Sequence, residues 1–178
     1  MNLNYQLTDS DYLEFQLYTA SRSEFYKKRR RNLRLIIPVL YILFSLYFYL
    51  IYQYLTVVLI FLIIAGVWFF LYPLYSRWLY KNHFKKYVKK YYKTRVGKPI
   101  EIEFNENSIL AKDFTSESII DVTKLTELVE TKDHFFIKLA TDTSLIIPKR
   151  EISNQSEFKN KIAGYGVEYV NELDWAWK

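Results

Sequence analysis

From Leu35 to Ser76 the chain carries no Asp, Glu, Lys, Arg or His, and no other feature restricts its fold as much. One bilayer crossing takes about 20 apolar residues, and this run is roughly twice that length. As one helix, at about 1.5 Å per residue, it would measure about 60 Å, double the hydrocarbon thickness. Gln53, between Tyr52 and Tyr54, is the most polar point near the middle and the natural turn. The run therefore predicts a transmembrane hairpin, with spans from Leu35 to about Tyr52 and from about Leu55 to Leu74. Pro38 lies one turn into the first span, where it either kinks the helix or marks its first turn.

The flanks predict the orientation. Lys27, Lys28, Arg29, Arg30, Arg31 and Arg34 precede the run, and Arg77, Lys81, Lys85, Lys86, Lys89, Lys90, Lys93 and Arg95 follow it. Lys and Arg collect on cytoplasmic flanks, so both termini are expected in the cytoplasm. Arg29, Arg30, Arg31, Trp68 and Trp78 are the expected anchors at that interface. The net charge of +6 hides a division. Residues 22–98 hold sixteen Lys and Arg against one acid, whereas the rest holds nine against eighteen. The positive charge is thus a juxtamembrane collar, suited to anionic lipid rather than nucleic acid. Residues 1–25 lack the apolar core of a cleavable signal peptide, so the first span is expected to act as its own insertion signal. The absence of cysteine excludes disulfides, thiolate metal sites and cysteine nucleophiles, and agrees with a reducing cytoplasm.

Four segments follow. Residues 1–34 read as a short strand, from the alternation of Leu3, Tyr5 and Leu7, and then a helix over about Asp9 to Arg31. Thr8 and Asp11 have the spacing of a helix-starting cap. Residues 35–76 are the hairpin. Residues 77–98 continue as a basic amphipathic helix, with Tyr80, Phe84, Tyr87, Val88 and Tyr91 on one face and lysines on the other. Residues 99–178 switch to period two. Strands are expected from Pro99, at Ile109–Lys112, Ser118–Val122, Leu125–Glu130, His134–Leu139 and Thr143–Ile147, with turns at 106–107, 115–117, 131–133 and 141–142. A helix over about Gln155–Ala163, capped by Ser153 or Asn154 and stopped by Gly164, completes an α+β layout. The aromatic tail from Tyr165 packs either on the domain or on the membrane surface.

A two-span hairpin before short strands and a capping helix resembles the bacterial membrane proteins with pleckstrin-homology-like domains. The ladder Ile100-Glu101-Ile102-Glu103-Phe104, the run Leu128 to Ile137 and Leu145-Ile146-Ile147-Pro148-Lys149-Arg150 are similar to the YcxB-like family. The resemblance implies a bacterial plasma-membrane location and a small, mainly antiparallel, pleckstrin-homology-like C-terminal domain. It implies no reaction.

The residues themselves predict no enzyme. His83 and His134 lack a second ligand at metal spacing, so neither a metal site nor a cofactor is expected. Glu101 and Glu103 suit a solvated strand face, the four glycines form no phosphate loop, and no Ser, His and Asp constellation is visible. The expected function is binding of protein or anionic lipid by the cytoplasmic domain, through Lys85, Lys86, Lys89, Lys90, Lys93, Lys149 and Arg150. A homodimer or another membrane protein is a possible partner. The alternative is an accessory subunit of a transporter or membrane enzyme, with the reaction on another chain.

Overall fold

The computed structural model describes residues 1–141 and 143–177. Asp142, half of the expected 141–142 turn, lies outside the described residues. The chain divides into two compact units. One comprises Met1–Gln16 and Phe84–Ala176, the other Leu17–His83 together with Trp177.

The second unit is the hairpin. Helix α2 runs Glu24–Tyr52 and helix α3 runs Leu55–Tyr91. Gln53 turns the chain between them in the left-handed region, at φ 55°. Its N–H donates to the Tyr49 carbonyl at 3.1 Å, closing the last turn of α2. Both helices are long and apolar enough to span a membrane. A core helix of a soluble protein would be mostly buried, but only 11% of each apolar window is. Pro38 sits inside α2 rather than in its first turn, because the helix begins fourteen residues earlier at Glu24. Ring pairs such as Phe48 with Phe61, 5.6 Å apart, join the helices near the turn. Nearer the basic end, the Trp68 indole donates to the Leu33 carbonyl at 3.2 Å, and Arg34 lies 4.3 Å over the Phe69 ring.

The first unit contains two four-stranded sheets. Strands β1 (Asn2–Gln6), β2 (Pro99–Phe104), β3 (Ser108–Lys112) and β4 (Glu117–Asp121) pair antiparallel in that order. The other sheet has the order β7-β6-β5-β8, from β5 (Leu125–Thr131), β6 (His134–Leu139), β7 (Ser144–Pro148) and β8 (Glu168–Glu172). A 3₁₀ turn over Val122–Lys124 separates the sheets. It begins where the Asp121 carboxylate accepts hydrogen bonds from the Thr123 N–H and hydroxyl. The expected single run of strands is thus interrupted by one side-chain cap.

Helix α4 (Gln155–Ala163) carries the chain from β7 to β8, which lies parallel to β5. Asn154 is its cap, accepting from the Glu157 N–H at 3.1 Å. Phe158, fully buried, stands 5.7 Å from Phe104 of one sheet and 5.0 Å from Phe135 of the other. Burial of each such side chain contributes about 1.5–3 kcal/mol, so this helix ties both sheets into one core.

Helix α1 (Asp9–Arg22) starts in this unit. Phe15 meets Phe136 edge-on at 5.4 Å, covering the face of β6 opposite Phe135. Strands β5 and β6 are therefore buried on both faces, which explains the unbroken burial of Leu128–Thr131 and His134–Ile137.

Three expected segment boundaries change. Residues 1–34 are not a separate segment, because β1 pairs along its whole length with β2, from Asn2 opposite Glu103 to Gln6 opposite Pro99. The helix expected through Arg31 is broken at Ser23, whose extended backbone ends α1 and starts α2. The basic helix expected to continue the second span does so, but α3 ends at Tyr91 rather than near residue 98.

Candidate functional site

The first turn of α1 is set by a reciprocal cap. The Thr8 N–H donates to Asp11 Oδ2 at 2.7 Å, and the Asp11 N–H donates to Thr8 Oγ1 at 3.4 Å. Helical spacing then puts Asp11, Glu14 and Phe15 on one side, facing β6. At the β5–β6 turn, Thr131 Oγ1 accepts from the His134 N–H and donates to its carbonyl, both at 3.1 Å, fixing the imidazole. His134 Nε2 lies 2.7 Å from Asp11 Oδ1, and Nδ1 lies 3.2 Å from Glu14 Oε1. A 3₁₀ turn over Lys149–Glu151 follows β7 and delivers Arg150 to the same carboxylate. Its Nη1 donates to Oδ1 at 2.8 Å and its Nη2 to Oδ2 at 2.7 Å. That two-toothed geometry is the strongest an ion pair adopts.

Electrostatics follow from burial opposed by partners. Burial alone would raise the Asp11 carboxyl, but donation from Arg150, His134 and Thr8 holds it far below its ordinary range. Burial would likewise lower His134, yet the Asp11 and Glu14 carboxylates raise it to about 9. The imidazole is therefore a cation at neutral pH and cannot serve there as a general base. With Asp11 1% and His134 3% exposed, the buried pair is a clamp between distant segments. Among the described residues, no group of three or more His, Cys, Asp and Glu could hold a metal ion.

A second cluster surrounds Glu130 on β5. Lys149 Nζ donates to Oε1 at 2.7 Å, while Lys159 Nζ at 3.2 Å and the Tyr169 hydroxyl at 2.6 Å donate to Oε2. Burial would raise this carboxyl, but the three donors keep it below its ordinary value. One carboxylate thus joins β5 to the end of β7, to α4 and to β8. The Tyr169 phenol is raised to about 12 by the same bond.

These contacts change the part assigned to two residues. Lys149 and Arg150, expected to present charge to a headgroup or partner, are both committed to buried carboxylates, and the Lys149 side chain is only 11% exposed. Their proline-bounded turn ends a strand and locks it.

The lysines of α3 behave differently. Lys85, Lys86, Lys89, Lys90 and, just past the helix, Lys93 are exposed, whereas Phe84 and Val88 are buried. The sequence-read anchors Arg29, Arg31 and Trp78 are also exposed, while Arg30 and Trp68 are half-buried. Arg30 stacks 5.0 Å over Trp177, whose indole donates to the Arg77 carbonyl at 3.1 Å. The end of the tail thus packs on the basic end of the hairpin, and Glu168–Glu172 forms β8; neither contact has a signature in the tail's composition.

Sequence reasoning missed the parts played by His134, Asp11 and Glu14. His134 reads as a turn residue, and its partner Asp11 lies 123 residues away in sequence. The Thr8–Asp11 spacing marks a cap but says nothing of what the carboxylate meets.

Fold and site define an α+β protein with two helices able to span a membrane and a two-sheet domain clamped by buried ion pairs. Within that domain, residues 104–162 match the family model described as YcxB-like protein. That match covers about a third of the chain and agrees with the resemblance read from its sequence. No curated protein and no solved structure matches it. The matched segment supplies His134, Glu130, Lys149 and Arg150, while Asp11 and Glu14 come from outside it.

Proposed function

We propose that the protein is a non-enzymatic integral membrane protein of the plasma membrane, with both termini cytoplasmic, that binds anionic lipid headgroups through the lysine face of α3. The observation that carries this reading is the division of that helix. Lys85, Lys86, Lys89 and Lys90 are exposed on one side, Phe84 and Val88 are buried on the other, and the same helix contains an apolar span. Each Lys near an anionic surface contributes about 1 kcal/mol, and its alkyl stem lets the ammonium reach the headgroups. Holding the domain to a bilayer raises its effective concentration toward any partner in that membrane. The YcxB-like domain then acts as a pleckstrin-homology-like binding module, with no reaction of its own.

Amine-reactive labelling of the full chain in vesicles tests this reading. Phosphatidylcholine vesicles with phosphatidylglycerol should protect Lys85, Lys86, Lys89, Lys90 and Lys93 relative to phosphatidylcholine alone. Equal labelling in both would remove the lipid reading.

A further inference from the structure

We propose that the cavity between the β1–β4 sheet and strand β7 binds a single-chain anionic amphiphile, with its acyl chain inside and its carboxylate or phosphate at Arg95 and Lys98. The cavity is a half-open cleft of about 590 Å³, within the roughly 300–1,000 Å³ usual for small-ligand sites. It is separate from the lysine face of α3 and does not depend on lipid binding there.

The strand register builds the apolar part. Ala111 stands opposite Ile102 and Ile120 opposite Ile109, so β2, β3 and β4 turn Ile100, Ile102, Ala111 and Ile120 to one face. Leu145 and Ile146 of β7 and Phe15 of α1 line the cavity as well. Ile102 and Ile146 are buried, but Ile100, Ala111, Ile120 and Leu145 are only half-buried. That remaining apolar surface is what an acyl chain would cover.

Polar character is uneven among the lining residues, and this selects the ligand class. Arg95 and Lys98 follow α3 within four residues of each other and are both exposed. The Tyr12 and Tyr92 rings, 4.4 Å apart, also line the cavity, and the Arg95 charge acts on both phenols. Asp113 is the lone carboxylate of the lining, and its Oδ1 accepts from the N–H and hydroxyl of both Thr115 and Ser116 at 2.6–3.2 Å. With Lys112, which also lines the cavity, three cations therefore stand against one carboxylate that is already engaged. A sugar or nucleotide needs polar groups around its whole outline, whereas here Ile100, Ile102, Leu145, Ile146 and Phe15 form an apolar wall, with Ser144 the polar residue that β7 adds. An apolar tail with an anionic head fits this division. Fatty acids and lysophospholipids share that chemistry.

Photo-crosslinking of the full chain in phosphatidylcholine nanodiscs tests the proposal, with diazirine-bearing palmitic acid and diazirine-bearing lysophosphatidic acid as separate probes. Adducts are expected on β2–β4 and β7, abolished by excess of the unlabelled anion and untouched by hexadecanol. The probe giving the greater cavity labelling identifies the source of the ligand. Arg95→Gln with Lys98→Gln should lower cavity labelling about tenfold, the loss expected for charge-assisted contacts, with the unfolding midpoint unchanged. Ala111→Trp, which fills the space, should lower it similarly. Adducts confined to α2 and α3, equal competition by hexadecanol, or full labelling of the Gln double variant would each overturn the proposal. Amine protection at Lys89 reads out the other site, so failure of either reading leaves the other standing.

Discussion

His134 Nε2 lies 2.7 Å from Asp11 Oδ1, joining residues 123 positions apart, both closed off from solvent. The pair fastens the first turn of α1 to the β5–β6 turn, and Arg150 completes it from the end of β7. Removing one partner leaves buried charge without its counterpart, which typically costs about 3–5 kcal/mol. Asp11→Ala is expected to destabilise the full chain in detergent by that amount, measured by denaturant unfolding followed through tryptophan fluorescence. Arg150→Ala should cost about 1 kcal/mol, because that side chain is 47% exposed and solvent takes up much of the change. A loss below about 1 kcal/mol for Asp11→Ala would contradict the clamp.

The same pair makes stability depend on pH in a defined direction. His134 is raised from 6.5 to about 9 in the folded chain, so its contribution is complete below pH 6.5 and is lost as pH climbs through about 9. Asp11 is depressed below 3.8, so its contribution is present above that pH and is lost only in stronger acid. Stability should therefore be greatest between about pH 4 and 6.5 and fall by on the order of 3 kcal/mol toward pH 9. His134→Gln should flatten that alkaline decline. An equal decline in wild type and variant would show that another group causes it.

How much of this was legible depends on the range of the signal. The hairpin, its turn at Gln53, the Asn154 cap and the strand alternation each lie within a few residues, where periodicity and capping act. The pairing of β1 with β2 spans about a hundred residues, and the parallel β5–β8 pair depends on α4 returning the chain. Nothing in the alternation of Leu3, Tyr5 and Leu7 says which strand they join. Lys149 and Arg150 look like solvated charges for a related reason: the carboxylates that take them, Glu130 and Asp11, are brought there only by the finished fold.

Gln53 is a local strain that can be relieved. Its φ of 55° disfavours a side chain with a Cβ, by about 1–2 kcal/mol for a left-handed residue, and glycine is the usual solution at this helix-ending position. Gln53→Gly is expected to stabilise the hairpin by about 1 kcal/mol, after the greater flexibility of the unfolded glycine chain is offset. Gln53→Pro, whose ring requires φ near −65°, should destabilise it. Thermal unfolding in detergent reads both; a lower midpoint for the glycine variant would contradict a left-handed turn at this position.

The most direct measurement concerns the path of the chain through lipid. Because the chain has no cysteine, single cysteines can be placed at Gln53, in the turn between α2 and α3, and at Ile119, 77% exposed on β4. Treatment of intact cells with a membrane-impermeant maleimide should label Gln53→Cys and leave Ile119→Cys unlabelled until the membrane is opened. Labelling of both from the outside, or of neither, would contradict a hairpin that crosses the bilayer twice and leaves the two-sheet domain in the cytoplasm.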